Sequence, residues 1–123
     1  MLNVLAVACG GAVGALARYW MSTLVYRHAG SAFPWGTLSV NVLGSLALGV
    51  LFVLVQQREL SEAWRLALAV GLLGAFTTFS TFSVDTLVLL EQGALGRAAL
   101  NVLASVGLCL AAAAGGMALA RAL

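Results

Sequence analysis

Residues 71–85 read Gly71-Leu72-Leu73-Gly74-Ala75-Phe76-Thr77-Thr78-Phe79-Ser80-Thr81-Phe82-Ser83-Val84-Asp85. Five of the seven residues from Thr77 to Ser83 are Thr or Ser, within a long interval that carries no charge. Hydroxyls compete for backbone partners and Thr is β-branched, so this run makes a poor continuous helix. Gly71 and Gly74 loosen the backbone just before it. Two readings follow. The helix breaks here, or it stays regular with each hydroxyl bonded back to the preceding turn. Which one applies depends on what surrounds the run, because hydrocarbon tolerates open backbone only where that backbone lines a cavity or binds something. Freed carbonyls suit a cation, and the N-terminus of a half-helix favours an anion.

The rest of the chain places this run inside a membrane. Of 123 residues, 63% are apolar and 8% are charged, with a mean hydropathy of +1.07. Soluble domains are about a quarter charged, so a water-soluble globule is excluded, and disorder is excluded by the high hydrophobicity. Ten residues hold all the charge: Arg18, Arg27, Arg58, Glu59, Glu62, Arg65, Asp85, Glu91, Arg97 and Arg121. They leave uncharged intervals at 1–17, 28–57, 66–84 and 98–120. A helix needs about 20 apolar residues to cross the hydrocarbon core. The expected fold is therefore an all-α integral membrane protein, one domain over 1–123, with spans near 3–25, 34–56, 64–90 and 97–121. The connections are too short for a soluble catalytic domain. Residues 1–17 contain no Lys or Arg, so they lack the basic start of a signal peptide.

Loop arginines normally set orientation. With four spans, Arg58, Arg65 and Arg121 fall on one side, and Arg27 and Arg97 on the other, joined by Arg18 if it snorkels. Three against three gives no bias, which would let the chain insert both ways and pair as an antiparallel dual-topology homodimer. Trp35 and Trp64 at span starts, and Tyr19, Trp20 and Tyr26 near a span end, read as interfacial aromatics. Cys9 and Cys109 lie inside spans with no CxxC partner and read as small packing residues.

Small and polar residues fall on helical faces. Ala6, Gly10, Gly14 and Arg18 recur every four residues, as a close-packing stripe ending in a guanidinium that must face protein, water or an anion. Thr37, Asn41 and Ser45 form a second stripe with Gly44 beside it, and Asn101, Ser105 and Cys109 a third. Such polar groups serve either as glue between helices or as a shared hydrophilic track whose neutral N–H and O–H donors replace an anion's hydration shell. Phe79 and Phe82 are lipid-facing, or they offer ring edges of partial positive charge to an anion.

Three motifs taken in order resemble the CrcB/Fluc family of fluoride channels over essentially the whole chain. They are Gly10-Gly11-Ala12-Val13-Gly14-Ala15-Leu16-Ala17-Arg18-Tyr19, Gly36-Thr37-Leu38-Ser39-Val40-Asn41-Val42-Leu43-Gly44, and Gly74 through Ser83. Asp85 departs from the family pattern, which usually has Glu there. The resemblance implies a dual-topology homodimer in the cell (inner) membrane that conducts fluoride passively through two pores between the subunits. It implies a break in the third helix and a structural sodium ion at the dimer centre, held by backbone carbonyls at Gly74 and Thr77. It further implies that Phe79 and Phe82 present ring edges to fluoride and that Asn41 donates from its amide. Ser80, Thr81, Thr37 and Ser105 would add hydroxyls, while Arg18 draws anions into an aqueous vestibule.

A small proton-coupled multidrug transporter of dual topology is the competing reading. It needs an acid within the membrane, and Asp85 is the one candidate, since Glu59, Glu62 and Glu91 fall in or near loops. A helper subunit would use the glycine stripe but would leave the Thr/Ser/Phe run without a purpose. An enzyme is not expected, because His28 stands beside Arg27 without a nucleophile or a paired acid. The charge balance makes one prediction: a reporter fused after Leu123 should be found on both sides of the membrane, and a single location would exclude dual insertion.

Overall fold

The computed structural model describes residues 1–123, and its regular structure is entirely helical. Helix α1 covers Leu2–Ala29 and α2 covers Trp35–Gln57. The third span begins as α3, Glu62–Arg65, continues through a π-helical segment, Leu66–Leu73, and closes its first half as α4, Gly74–Phe76. It resumes as α5, Phe79–Glu91, and α6 covers Leu95–Ala122. Each of the four spans is long and apolar enough to cross a membrane.

Local chemistry sets the ends. Helix α1 stops at Gly30, whose φ of +78° suits a residue without Cβ. Helix α5 ends in a Schellman arrangement in which Ala94 N donates to Leu89 O and Gly93 N donates to Leu90 O, with Gly93 at φ +74°. Ser61 caps α3 by accepting from Trp64 N. At the start of α2, the otherwise unpartnered N–H of Thr37 reaches the hydroxyl of Tyr26 on α1 at 3.4 Å.

The small residues decide how closely the helices approach. Helix α1 packs chiefly on the π-helical segment, and α2 on α6. A Cβ added to Gly10 or Gly14 would overlap the carbonyl oxygens of Ala67 and Leu72 respectively. From the opposite side, a Cβ on Gly71 would press on Val7 O and Gly11 N. The glycine stripe of α1 is thus a seat for the backbone of the third span, the close-packing role that small residues have in membranes. Between α2 and α6, Gly49 lies against the Ala113 carbonyl and Gly116 against that of Leu46.

Only 20 of the 123 residues are buried within one chain, so most of the apolar surface faces outward. Both cysteines are free thiols. A Gly14→Ala substitution should force α1 off the third span and cost about 1–3 kcal/mol of stability, read as a lower unfolding temperature in detergent. Gly11→Ala, whose nearest foreign atom would be Gly71 O at 4.0 Å, should be close to neutral.

Candidate functional site

The third span breaks where its hydroxyls are densest. Thr77 (φ −87°, ψ 157°) and Thr78 (φ −152°, ψ 113°) are extended between two helices. Open backbone at membrane depth must find partners, and α2 supplies them. Asn41 Nδ2 donates to Thr78 O at 3.0 Å, and Asn41 Oδ1 accepts from Thr78 N at 2.7 Å. The pair fixes which way the amide faces, because a flipped amide would set N–H against N–H. One Asn41 N–H is left for another acceptor. Gly44, on the same face three residues along, makes room for the Thr77 methyl, which a Cβ at Gly44 would overlap.

Thr78 also starts the second half-helix. Its hydroxyl accepts from Thr81 N at 3.2 Å and donates to Thr81 Oγ1 at 3.0 Å, with Ser80 Oγ at 3.3 Å. Thr81 accepts here and keeps its own proton, and a hydroxyl that accepts a bond is the stronger donor for it. The Thr77 hydroxyl is used locally on Leu73 O at 3.0 Å.

Two clefts lie on either side of this break and share Thr78. The outer cleft, about 550 Å³, is lined by Arg18, Tyr26, Thr37, Thr81 and Asp85 among others. Its walls are tied together across helices: Thr37 Oγ1 donates to Asp85 Oδ2 at 2.7 Å, and Tyr26 OH lies 3.3 Å from Thr37 Oγ1. Thr37 therefore gives its proton to the carboxylate. The half-buried Arg18 sits at the end of the glycine stripe and faces this cleft.

The inner cleft, about 380 Å³, contains no charged residue. Asn41, Ser45, Thr78, Phe79, Phe82 and Ser105 line it together with aliphatic side chains and Cys109. The Phe79 and Phe82 rings are 5.4 Å apart between centroids and tilted by 48°. Phe79 is 78% exposed on the single chain. Ser105 is buried, and its hydroxyl donates to Asn101 Oδ1 at 3.3 Å.

Of the residues singled out from sequence, Asn41, Phe79, Phe82 and Ser105 thus come together in the inner cleft, and Arg18, Thr37 and Thr81 in the outer one. Ser80 and Gly74 line neither and lie on the exposed face of the break. The residues that sequence reasoning did not select for the site are Thr78, which lines both clefts, and Tyr26, which with Asp85 holds Thr37. Thr78 belongs to the Thr/Ser run quoted above, but nothing in residue order marks it out from its neighbours or points to the Asn41 amide that meets it.

A cleft of neutral donors that shares Thr78 with an arginine-bearing one suits a small anion, since N–H, O–H and ring edges replace water without trapping the ion on a fixed charge. The family model described as CrcB-like protein, Camphor Resistance (CrcB), matches residues 5–117. The chain is 55% identical over 121 residues to a protein of Methylococcus capsulatus named fluoride-specific ion channel FluC, covering 98% of this chain and 53% of that protein. Proteins of the same name from Shewanella pealeana and Geobacter sulfurreducens are 53% and 51% identical. Coverage is 89% of both chains for the first and 98% of both for the second. The chain therefore spans about half the length of the Methylococcus protein and nearly all of the other two.

Asn41→Asp replaces the N–H that holds Thr78 O with a carboxylate oxygen and puts negative charge in the inner cleft. It should reduce anion flux through reconstituted protein by about fivefold or more, since losing such a hydrogen-bond partner costs about 1–3 kcal/mol. Unaltered flux would remove Asn41 from the path.

Proposed function

The chain belongs to the CrcB-like family, matched over residues 5–117, and from that premise we propose that it is a channel that passes fluoride down its gradient across the cell membrane. The observation that carries this reading is the pair of clefts meeting at Thr78, one with Arg18 at its wall and the other built from neutral donors and ring edges. Arg18 raises the local anion concentration without standing in the inner cleft. Beyond it, the free proton of Thr81 and the spare N–H of Asn41 flank Thr78 and take over from water. The edges of Phe79 and Phe82 continue the path with partial positive charge. Fluoride, small and strongly hydrated, gains most from close donors, and a narrow bore disfavours larger halides. Thr37 and Ser105 shape the walls, their protons being given to Asp85 and Asn101.

The working unit in this proposal is an antiparallel homodimer with two pores. Support comes from what one chain leaves uncovered. Phe79, Ser80 and Thr81 are exposed on one chain, and hydroxyls facing hydrocarbon without cover are costly. A second copy with the opposite orientation covers them and completes each path. The balanced arginines allow both orientations.

Gly74 and Thr77 suit a sodium ion at the centre of that dimer. Gly74 is exposed, and a Cβ there would meet nothing nearer in its own chain than Ala69 O at 3.6 Å. Packing within the chain does not call for glycine, whereas close approach of a partner or an ion does. Thr77 is extended, so its carbonyl is not committed to a regular helix on geometric grounds. Backbone carbonyls at these two residues would hold the ion, which would supply a fixed positive charge tying the two breaks together.

A proton-coupled cation carrier is the weaker reading, because its one candidate acid, Asp85, is bonded to Thr37 and shares its cleft with Arg18. Purified protein in liposomes loaded with fluoride should release it once the charge is balanced by an ionophore, and release no drug cation. Absence of fluoride release would overturn the proposal. Phe82→Ile should slow release at least tenfold while the dimer still elutes intact on size exclusion, since it keeps bulk but removes the ring edge. Loss of the dimer instead would make Phe82 a packing residue.

A further inference from the structure

The most buried polar side chain of the molecule lies outside both clefts. Asn101, on α6, is 1% exposed, and the path described above does not use it. Its Nδ2 donates to Thr86 Oγ1 at 2.9 Å, and Thr86 Oγ1 in turn donates to Phe82 O at 2.8 Å. On its other side, Asn101 Oδ1 accepts from Ser105 Oγ at 3.3 Å. Donors and acceptors run one way along this chain, from Ser105 through Asn101 and Thr86 to the backbone of Phe82. The two hydroxyl protons and one amide N–H each have one destination. Both ends of the chain, Ser105 and Phe82, line the inner cleft, and its two middle members do not.

We infer that Asn101 is a positioning residue for anion selectivity: it sets the Ser105 wall of α6 against the Phe82 wall of α5 and so fixes the bore between them. This inference rests on the fluoride-channel reading above. The physical reason is the cost of the alternatives. If the α5 and α6 walls slide or separate, a fully buried amide loses partners that neither lipid nor packed side chains can replace, so the spacing is held to within hydrogen-bond reach. Helix α5 has few other ties to α6, since their packing is much less extensive than that of α2 on α6. An apolar residue at 101 would fill the same space without specifying distance or direction. Ser105 is held in orientation as well as place, its oxygen directed by the bond to Asn101.

The test separates positioning from mere stability by reading selectivity. Fluoride and chloride efflux are measured in parallel on wild-type protein, Asn101→Ala and Thr86→Val, each reconstituted at equal amounts of dimer recovered by size exclusion. Thr86→Val keeps the shape of the side chain and removes only the link, so it stays informative if Asn101→Ala fails to fold. The expected result is a fall in the fluoride-over-chloride ratio of about tenfold in both variants, the consequence of losing one buried hydrogen-bond partner. An unchanged ratio in Thr86→Val, whether or not the total rate falls, would overturn the inference. If the wild-type protein released no fluoride, the channel reading itself would fall and this inference with it, a result distinct from either of the others.

Discussion

Opening a helix in the middle of a hydrocarbon slab frees N–H and C=O groups that cost several kcal/mol each when unpaired, and in this chain Asn41 pairs with both the N–H and the C=O of the buried Thr78. Asn41 offers a donor and an acceptor at the spacing of one residue's N–H and C=O, and both are used. Gly44 then admits Thr77 alongside, while Thr78 turns its hydroxyl to the new helix start. The rest of the site follows from this attachment. The break stands where the two clefts meet, Thr81 begins the outer wall, and Phe79 and Phe82 stand on the first turn of α5 facing the inner one.

Following each proton through the site distinguishes residues that look equivalent as letters. Thr37, Thr81 and Ser105 are all hydroxyls lining the two clefts, yet Thr37 gives its proton to Asp85 and Ser105 gives its proton to Asn101. Thr81 is held from behind by Thr78 and keeps its own. An anion needs donors, so under the proposed function only some of these hydroxyls would be available to it. The absence of charge from the inner cleft agrees with that proposal: a fixed cation there would hold an anion in a medium of low dielectric, where attraction is strongest.

Much of this was legible in residue order. The uncharged intervals mark four spans, the four-residue spacing of Ala6, Gly10, Gly14 and Arg18 marks a contact face, and the Thr/Ser run marks a weak point in the third helix. The run alone left a break and a regular helix equally open, because both can satisfy the same hydroxyls. Tyr26 read as an interfacial aromatic, while it lines the outer cleft and reaches Thr37 through its hydroxyl. The π-helical turn before the break had no signal in the spacing, and it lies where the glycines of α1 bring two backbones together.

Composition and the position of ten charges were enough to determine that the chain is helical and lies in a membrane, since length, apolarity and charge spacing are one-dimensional quantities. The types of group available to an anion were likewise determined, because so few polar residues exist. Which of them meet was decided only by tertiary structure. Asn41 with Thr78, Thr37 with Asp85, and Asn101 with both Thr86 and Ser105 are matches across helices, except for the last. Cross-helix matches depend on the rotation and depth at which helices cross, which are set by how far glycine lets each backbone approach its neighbour.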